Sequence, residues 1–185
     1  MSSHQLISAR SRPLLLGGLL LGLAGCGGGD APSDHSGPVS WPDKRSTGAE
    51  PGNAAPNFTL QTPDDTRLEL AALTGSQPLV INFLATWCAN CMEEMDILVD
   101  LHESGVQVLG VNLREKADTV TSLIERTAAR FPILLDTTGK VTRAYKVVNL
   151  PATVVLNAEG RIVSVTRGPI TATGIRDAVA AAGGG

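Results

Sequence analysis

The sequence predicts an α/β domain: a central mixed β-sheet with helices on both faces, entered through an N-terminal β-hairpin. Three observations predict it. Leu79-Val80-Ile81-Asn82-Phe83-Leu84 is an almost unbroken apolar run, the pattern of a strand covered on both faces. Strand-like and helix-like stretches alternate after it, which places helices against a sheet. The chain then closes with two strand patterns joined by a turn and followed by one last helix.

Taken in order, Asn57-Phe58-Thr59-Leu60 and Thr66-Arg67-Leu68-Glu69-Leu70 are short alternating runs around Pro63-Asp64-Asp65, a hairpin pattern. After the Leu79–Leu84 run a helix is expected from about Ala89 to Glu103, then a strand over Val106–Leu113. Ala117 to Arg130 reads as a helix with Val120, Leu123, Ile124 and Ala128 on one side. A short strand over Pro132–Leu135 and a short helix over Thr138–Tyr145 follow. Thr153–Leu156 and Arg161–Val165 are strands joined by the turn sequence Asn157-Ala158-Glu159-Gly160. Thr173 is placed to cap a last helix over Gly174–Ala182.

The bulk composition sets outer limits. A chain of 185 residues with 43% hydrophobic and 3% aromatic residues can build one aliphatic core with residues to spare. A formal net charge of −3 without a Lys/Arg block argues against nucleic acid as a partner. No stretch reaches the ~18 consecutive apolar residues of a transmembrane helix.

The surplus lies at the N-terminus. Arg10 and Arg12 precede the apolar run Pro13–Leu23, and small residues follow, which is the layout of a secretory signal peptide. The run ends in Leu23-Ala24-Gly25-Cys26, which resembles the bacterial lipoprotein signal. That resemblance implies cleavage before Cys26 and acylation of it, hence a membrane anchor. A plain signal peptide with a chance cysteine is the alternative. Residues 1–25 are thus expected to be a signal, 26–55 a flexible tether rich in Gly, Pro, Ser and Asp, and 56–185 the folded domain.

Cys88 and Cys91 carry the chemistry. Two cysteines three apart at the start of a helix can close a small disulfide ring. The first sits where unpaired backbone N–H groups favour a thiolate, the nucleophile of disulfide exchange. The second, a helical turn later, can resolve the mixed disulfide. Cys88 is therefore expected to attack and Cys91 to resolve. Half a zinc site and a purely structural disulfide are the alternatives; zinc needs about four ligands, and few others are available.

The folded part resembles the TlpA/ResA type of thioredoxin-like protein, the membrane-tethered extracytoplasmic thiol oxidoreductases that include cytochrome c maturation factors. The resemblance rests on Ala55-Pro56-Asn57-Phe58-Thr59-Leu60, on Val80 through Cys91 with its Trp87-Cys88-Ala89-Asn90-Cys91 core, and on Leu150-Pro151-Ala152-Thr153. It implies a thioredoxin-like fold and a cis peptide before Pro151 beside the cysteines. The backbone at Leu150 would then be free to pair with a substrate chain. An ordinary trans proline at a strand start is the alternative. It also implies protein thiols and disulfides as substrates, a membrane electron donor for recycling, a periplasmic location, and no cofactor beyond the redox disulfide. A monomer is expected.

Projected on a helix, Glu94 falls at the edge of the apolar stripe of Cys91, Met95, Leu98 and His102. A carboxylate there would be partly desolvated and could take the proton of Cys91 during resolution. The family often has a glutamate with this role here. Cytoplasmic-type thioredoxins use a buried Asp six residues before the first cysteine instead, a place held here by Asn82, which cannot titrate. An exposed, idle glutamate is the alternative. Trp87 is expected to pack beside the disulfide and shape the docking surface, or else to be a core aromatic. His102 is expected to hydrogen-bond a carbonyl, and Met92 and Met95 to pack.

The chain departs from the family at Asn90 and Asp96, which replace frequent prolines, and at Met92, which replaces a frequent basic residue. Without a proline at position 96 a straighter helix is expected. The local field is acidic, so the direction is expected to be reduction. An oxidase or isomerase with the same residues is the alternative. A copper-delivery protein, binding Cu(I) through both thiolates, is the alternative from another class; such proteins use a wider Cys-x-x-x-Cys spacing and a distal histidine. A peroxiredoxin would need a Pro-x-x-x-Thr-x-x-Cys context, which Cys88 lacks.

Overall fold

A computed structural model of the chain describes residues 47–184. The expected signal, Cys26 and most of the expected tether lie outside the described residues.

Strands β1 (Thr59–Gln61) and β2 (Arg67–Glu69) form the expected antiparallel hairpin, and the short helix α1 (Leu70–Leu73) follows directly. Strand β3 (Leu79–Leu84), with every residue buried, is the apolar run. Next come α2 (Ala89–Glu93), α3 (Met95–Glu103), β4 (Gln107–Leu113), α4 (Ala117–Thr127), β5 (Ile133–Asp136) and α5 (Lys140–Ala144). Strands β6 (Ala152–Leu156) and β7 (Ile162–Arg167) and helix α6 (Ala172–Gly183) complete the fold. The sheet runs β2-β1-β5-β4-β3-β6-β7. It is mixed: β3–β4 and β4–β5 are parallel, and the other neighbours are antiparallel.

Strand alternation divides the core in two. Val80 and Leu84 of β3 join Val108 and Val155 on one face, under Leu98 of α3, Leu123 of α4 and Ile175 of α6. Leu79, Ile81 and Phe83 turn to the other face, against Leu70 of α1, Val141 of α5 and Tyr145 just after α5. Both cysteines belong to the first cluster, so the pair is built on that core face. This is the fold class read from the sequence.

Four details correct the expectations. The helix expected over Ala89–Glu103 is two helices, α2 and α3, meeting at Glu94, whose ψ of −3° opens the backbone. The hydrogen-bond ladder continues across it, from Leu98 N–H to Glu94 C=O at 3.2 Å. The break needs no proline; it falls at the residue whose side chain is drawn into the core. Helix α4 stops at Thr127 because Ala128 takes the left-handed conformation (φ 53°) and is exposed rather than on the buried side. The last helix is capped by Thr171, not Thr173: its Oγ1 accepts from Gly174 N–H at 3.1 Å.

The fourth correction concerns the tether, expected to run through residue 55. Thr47 and Ala54 form a bridge, as do Ala54 and Arg161, and Ala49, Ala54 and Ala55 are buried. Gly52 N–H donates to Ile162 C=O (2.8 Å) and Ile162 N–H to Asn53 C=O (2.9 Å). The folded body therefore begins by Thr47. Side-chain pattern did not signal it because backbone hydrogen bonds and small residues make the contact.

Candidate redox active site

The site forms where β3 ends. Ala85 C=O accepts from Cys88 N–H (3.1 Å), so Ala85–Cys88 is a four-residue turn that delivers Cys88 to the first position before α2. There Cys88 acts as the N-cap, its C=O accepting from Cys91 N–H (3.1 Å) and Met92 N–H (3.2 Å). Its Sγ accepts from Cys91 N–H at 3.2 Å. Cys88 and Cys91 are joined in a disulfide with a Cα–Cα separation of 5.2 Å. The two cysteines are not equivalent: Cys88 is 8% exposed and Cys91 1%. A partner arriving from solvent meets Cys88 first.

The peptide bond Leu150–Pro151 is cis. Antiparallel pairing of β6 with β3 sets Ala152 opposite Phe83, so Pro151 lies alongside the end of β3 from which the cysteine turn departs. Pro151 C=O accepts from Gly168 N–H at 2.9 Å, and half-buried Leu150 packs against the core cluster that holds both cysteines. Neither backbone group of Leu150 is hydrogen-bonded among the described residues. Trp87 is 68% exposed, which removes its core-aromatic alternative, and Val148, near Pro151 in the chain, is 89% exposed.

Glu94 is fully inside, 2% exposed, rather than at the edge of the stripe. Its Oε1 accepts from Asn82 Nδ2 at 2.7 Å and its Oε2 from Ile170 N–H at 3.0 Å. Asn82 Nδ2 also donates to Thr153 Oγ1 at 3.0 Å. Burial raises the Glu94 carboxyl above the ordinary carboxylate range, and the bonds from Ile170 and Asn82 offset part of that rise. Asn82 Oδ1 is buried without a partner among the described residues. It is an acceptor that a protonated Glu94 could bond if the Asn82 amide turned over. Asn82 is legible in the sequence as a position that cannot titrate; its partner Thr153 and the Ile170 donor to Glu94 are not. Thr153 stands within Leu150-Pro151-Ala152-Thr153, but a backbone N–H such as that of Ile170 leaves no sequence signal.

His102 does not make the expected bond to a carbonyl through Nδ1, which is buried without a partner among the described residues, and its ring meets Phe131 edge-on at 5.8 Å. Met95 is buried and Met92 half-buried in the same cluster as the cysteines. No group of three His, Cys, Asp or Glu side chains able to hold a metal ion occurs among the described residues.

A disulfide across three positions at a helix start, on a thioredoxin-like sheet and next to a cis-proline, defines the class: this is a thiol–disulfide oxidoreductase. The chain belongs to the AhpC/TSA family, whose profile matches residues 51–165. Among its relatives, the thiol-disulfide oxidoreductase ResA of Bacillus subtilis is 35% identical over 130 residues, covering 68% of this chain and 72% of the relative. Among solved structures, a secreted Mycobacterium tuberculosis disulfide oxidoreductase homologous to E. coli DsbE is similar at TM-score 0.62 and 25% identity, over 67% of this chain and 95% of that one. StoA from Bacillus subtilis is similar at TM-score 0.58 and 25% identity, over 68% and 98% respectively.

Proposed function

We propose that this chain reduces protein disulfides outside the cytoplasm, with Cys88 attacking and Cys91 resolving. The observation that carries the reading is the buried Glu94 carboxylate, one helical turn from buried Cys91 and held only by neutral donors. The Cys88 thiolate attacks one sulfur of a partner's disulfide and expels the other as a thiolate. Cys91 gives its proton to Glu94 and attacks Cys88 Sγ, releasing the partner's second sulfur. The partner gains two electrons and this chain becomes the Cys88–Cys91 disulfide. Leu150, with its free backbone groups, pairs with the partner's chain, and Trp87 and Pro151 border the docking surface.

A carboxylate beside the dithiol disfavours thiolate and so the reduced form, which makes the pair a stronger reductant. The test is the Cys88–Cys91 reduction potential. It is expected nearer the thioredoxin value of about −270 mV than the DsbA value of about −120 mV. A potential at the oxidant end would reverse the direction.

The N-terminal signal supports export and lipid anchoring through Cys26, and the resemblance supports a role in cytochrome c maturation, with a membrane dithiol returning the electrons. Cys26→Ala should yield a precursor that is not acylated and does not fractionate with membranes. An oxidised peptide carrying the haem-attachment pattern Cys-x-x-Cys-His should be reduced faster than an oxidised peptide lacking the histidine.

A further inference from the structure

A second carboxylate stands on the approach to the cysteines. Glu115 lies in the turn between β4 and α4 and is half-buried. Its Oε2 accepts from Thr86 N–H at 2.7 Å, and its Oε1 accepts from the Thr86 hydroxyl. Asn112 Nδ2 also donates to Oε2, at 2.7 Å. Asn112 is buried at the end of β4, where it pairs with Leu84, the last residue of β3. The turn that carries Glu115 is itself fixed, since Arg114 N–H donates to Asp136 C=O at 3.1 Å.

Thr86 is the second residue of the Ala85–Cys88 turn. All of the donors on Glu115 are satisfied by an acceptor-only, ionised carboxylate. A glutamine would have to turn its NH₂ toward one of them. Held at both its N–H and its hydroxyl, Thr86 fixes the direction in which Trp87 and Cys88 leave the sheet.

We propose that Glu115 is a positioning residue for the redox reaction: through Thr86 it sets the Ala85–Cys88 turn, and so the aim of Cys88 Sγ and the place of Trp87 against an incoming disulfide. This rests on the reading of Cys88 as the attacking sulfur. Disulfide exchange needs the three sulfurs nearly in line, and a small misplacement of the attacking atom costs rate steeply.

The test uses the full chain and the variants Glu115→Gln, Thr86→Val, Thr86→Ser and Glu115→Gln/Thr86→Val. Three quantities are read: the rate of attack per Cys88 thiolate on an oxidised peptide, the pH midpoint of Cys88 alkylation, and the melting midpoint. Glu115→Gln should slow attack by about tenfold or more. It should also lower the alkylation midpoint by roughly a few tenths of a pH unit, because a negative charge near the thiolate is gone. Thr86→Val, which folds around an isosteric side chain and leaves the charge, should slow attack without moving the alkylation midpoint. Thr86→Ser should restore the rate. The double variant should be no slower than Glu115→Gln alone, since both act through one contact. A lower melting midpoint with unchanged attack and alkylation would make Glu115 merely structural and overturn the proposal, as would independent, multiplying effects in the double variant. Alkylation of Cys91 in place of Cys88 in the wild type would overturn the underlying reading and the proposal with it. Alkylation at Cys88 with wild-type attack rates in both single variants would overturn the proposal alone.

Discussion

Asn82 and Glu94 are joined inside the core by a 2.7 Å hydrogen bond from an amide to a carboxylate. The pair bridges β3 to the junction of α2 and α3, three residues after Cys91. The strand contributes a neutral amide, and the ionisable group stands at the helix junction.

The first expectation concerns pH. The folded state holds the Glu94 proton to higher pH than the unfolded chain does, because burial raises this carboxyl. Between the two values the unfolded chain binds fewer protons, so stability falls as pH rises, and the loss is complete above the folded-state value. Each unit of the shift is ~1.4 kcal/mol. Glu94→Gln lacks the group and should lack the decline. Urea midpoints from about pH 5 to about pH 8 should show the variant gaining on the wild type, while mixed disulfides resolve more slowly in the variant.

Asn82→Ala removes the donor to Glu94 Oε1 and the bond to Thr153. Leaving a buried carboxylate oxygen short of a partner should cost about 1–3 kcal/mol, measured by chemical denaturation at neutral pH. The loss should shrink in acid, where Glu94 is protonated and needs the donor less.

Cys88→Ser should show no disulfide exchange above background, and Cys91→Ser should accumulate mixed disulfides with substrate, detected as adducts that reductant removes. The unequal exposure of the two cysteines sets this order. Adducts on Cys88→Ser but not on Cys91→Ser would exchange the roles.

Trp87→Ala should leave stability within about 0.5 kcal/mol, since the ring is 68% exposed. KM for a folded protein substrate should rise while the rate with a small disulfide reagent stays level. Equal losses with both substrates would place the ring in the chemistry and not in docking.

A chain beginning at Thr47 should match the longer chain in stability and in activity on soluble substrates. One beginning at Pro56 loses the backbone bonds to Gly160 and Ile162 and three buried alanines. It should be less stable by about 2–4 kcal/mol, read by denaturant unfolding.

Much of this arrangement was legible in the residues. The β3 run announces itself because a strand buried on both faces needs no polar alternation, and the Cys88–Cys91 spacing at a helix start has few chemical uses. Pro151 was legible only through resemblance, as nothing local distinguishes a cis from a trans X–Pro bond. Glu94 was placed by helical projection on the right side but too shallow, since a projection assumes an unbroken helix and cannot see Asn82 and Ile170 pulling the side chain inward. Thr171 and Thr173 were equally good caps by type; Thr171 alone accepts from Gly174 at the start of the observed helix. Glu115 carries no sequence signal, because its three donors come from Thr86 and Asn112 and meet it only in the fold.

The lacing of Gly52–Ala55 onto Arg161 and Ile162 has a consequence for crowding. A seven-stranded open sheet has two rims, and β7 is one of them. A bare rim offers unpaired N–H and C=O groups to any neighbouring copy, a template for edge-to-edge aggregation. Here the start of that rim is already occupied by the chain's own incoming segment. Crowded copies would meet a partly closed border, and residues 52–55 would keep neighbours from zipping together along β7.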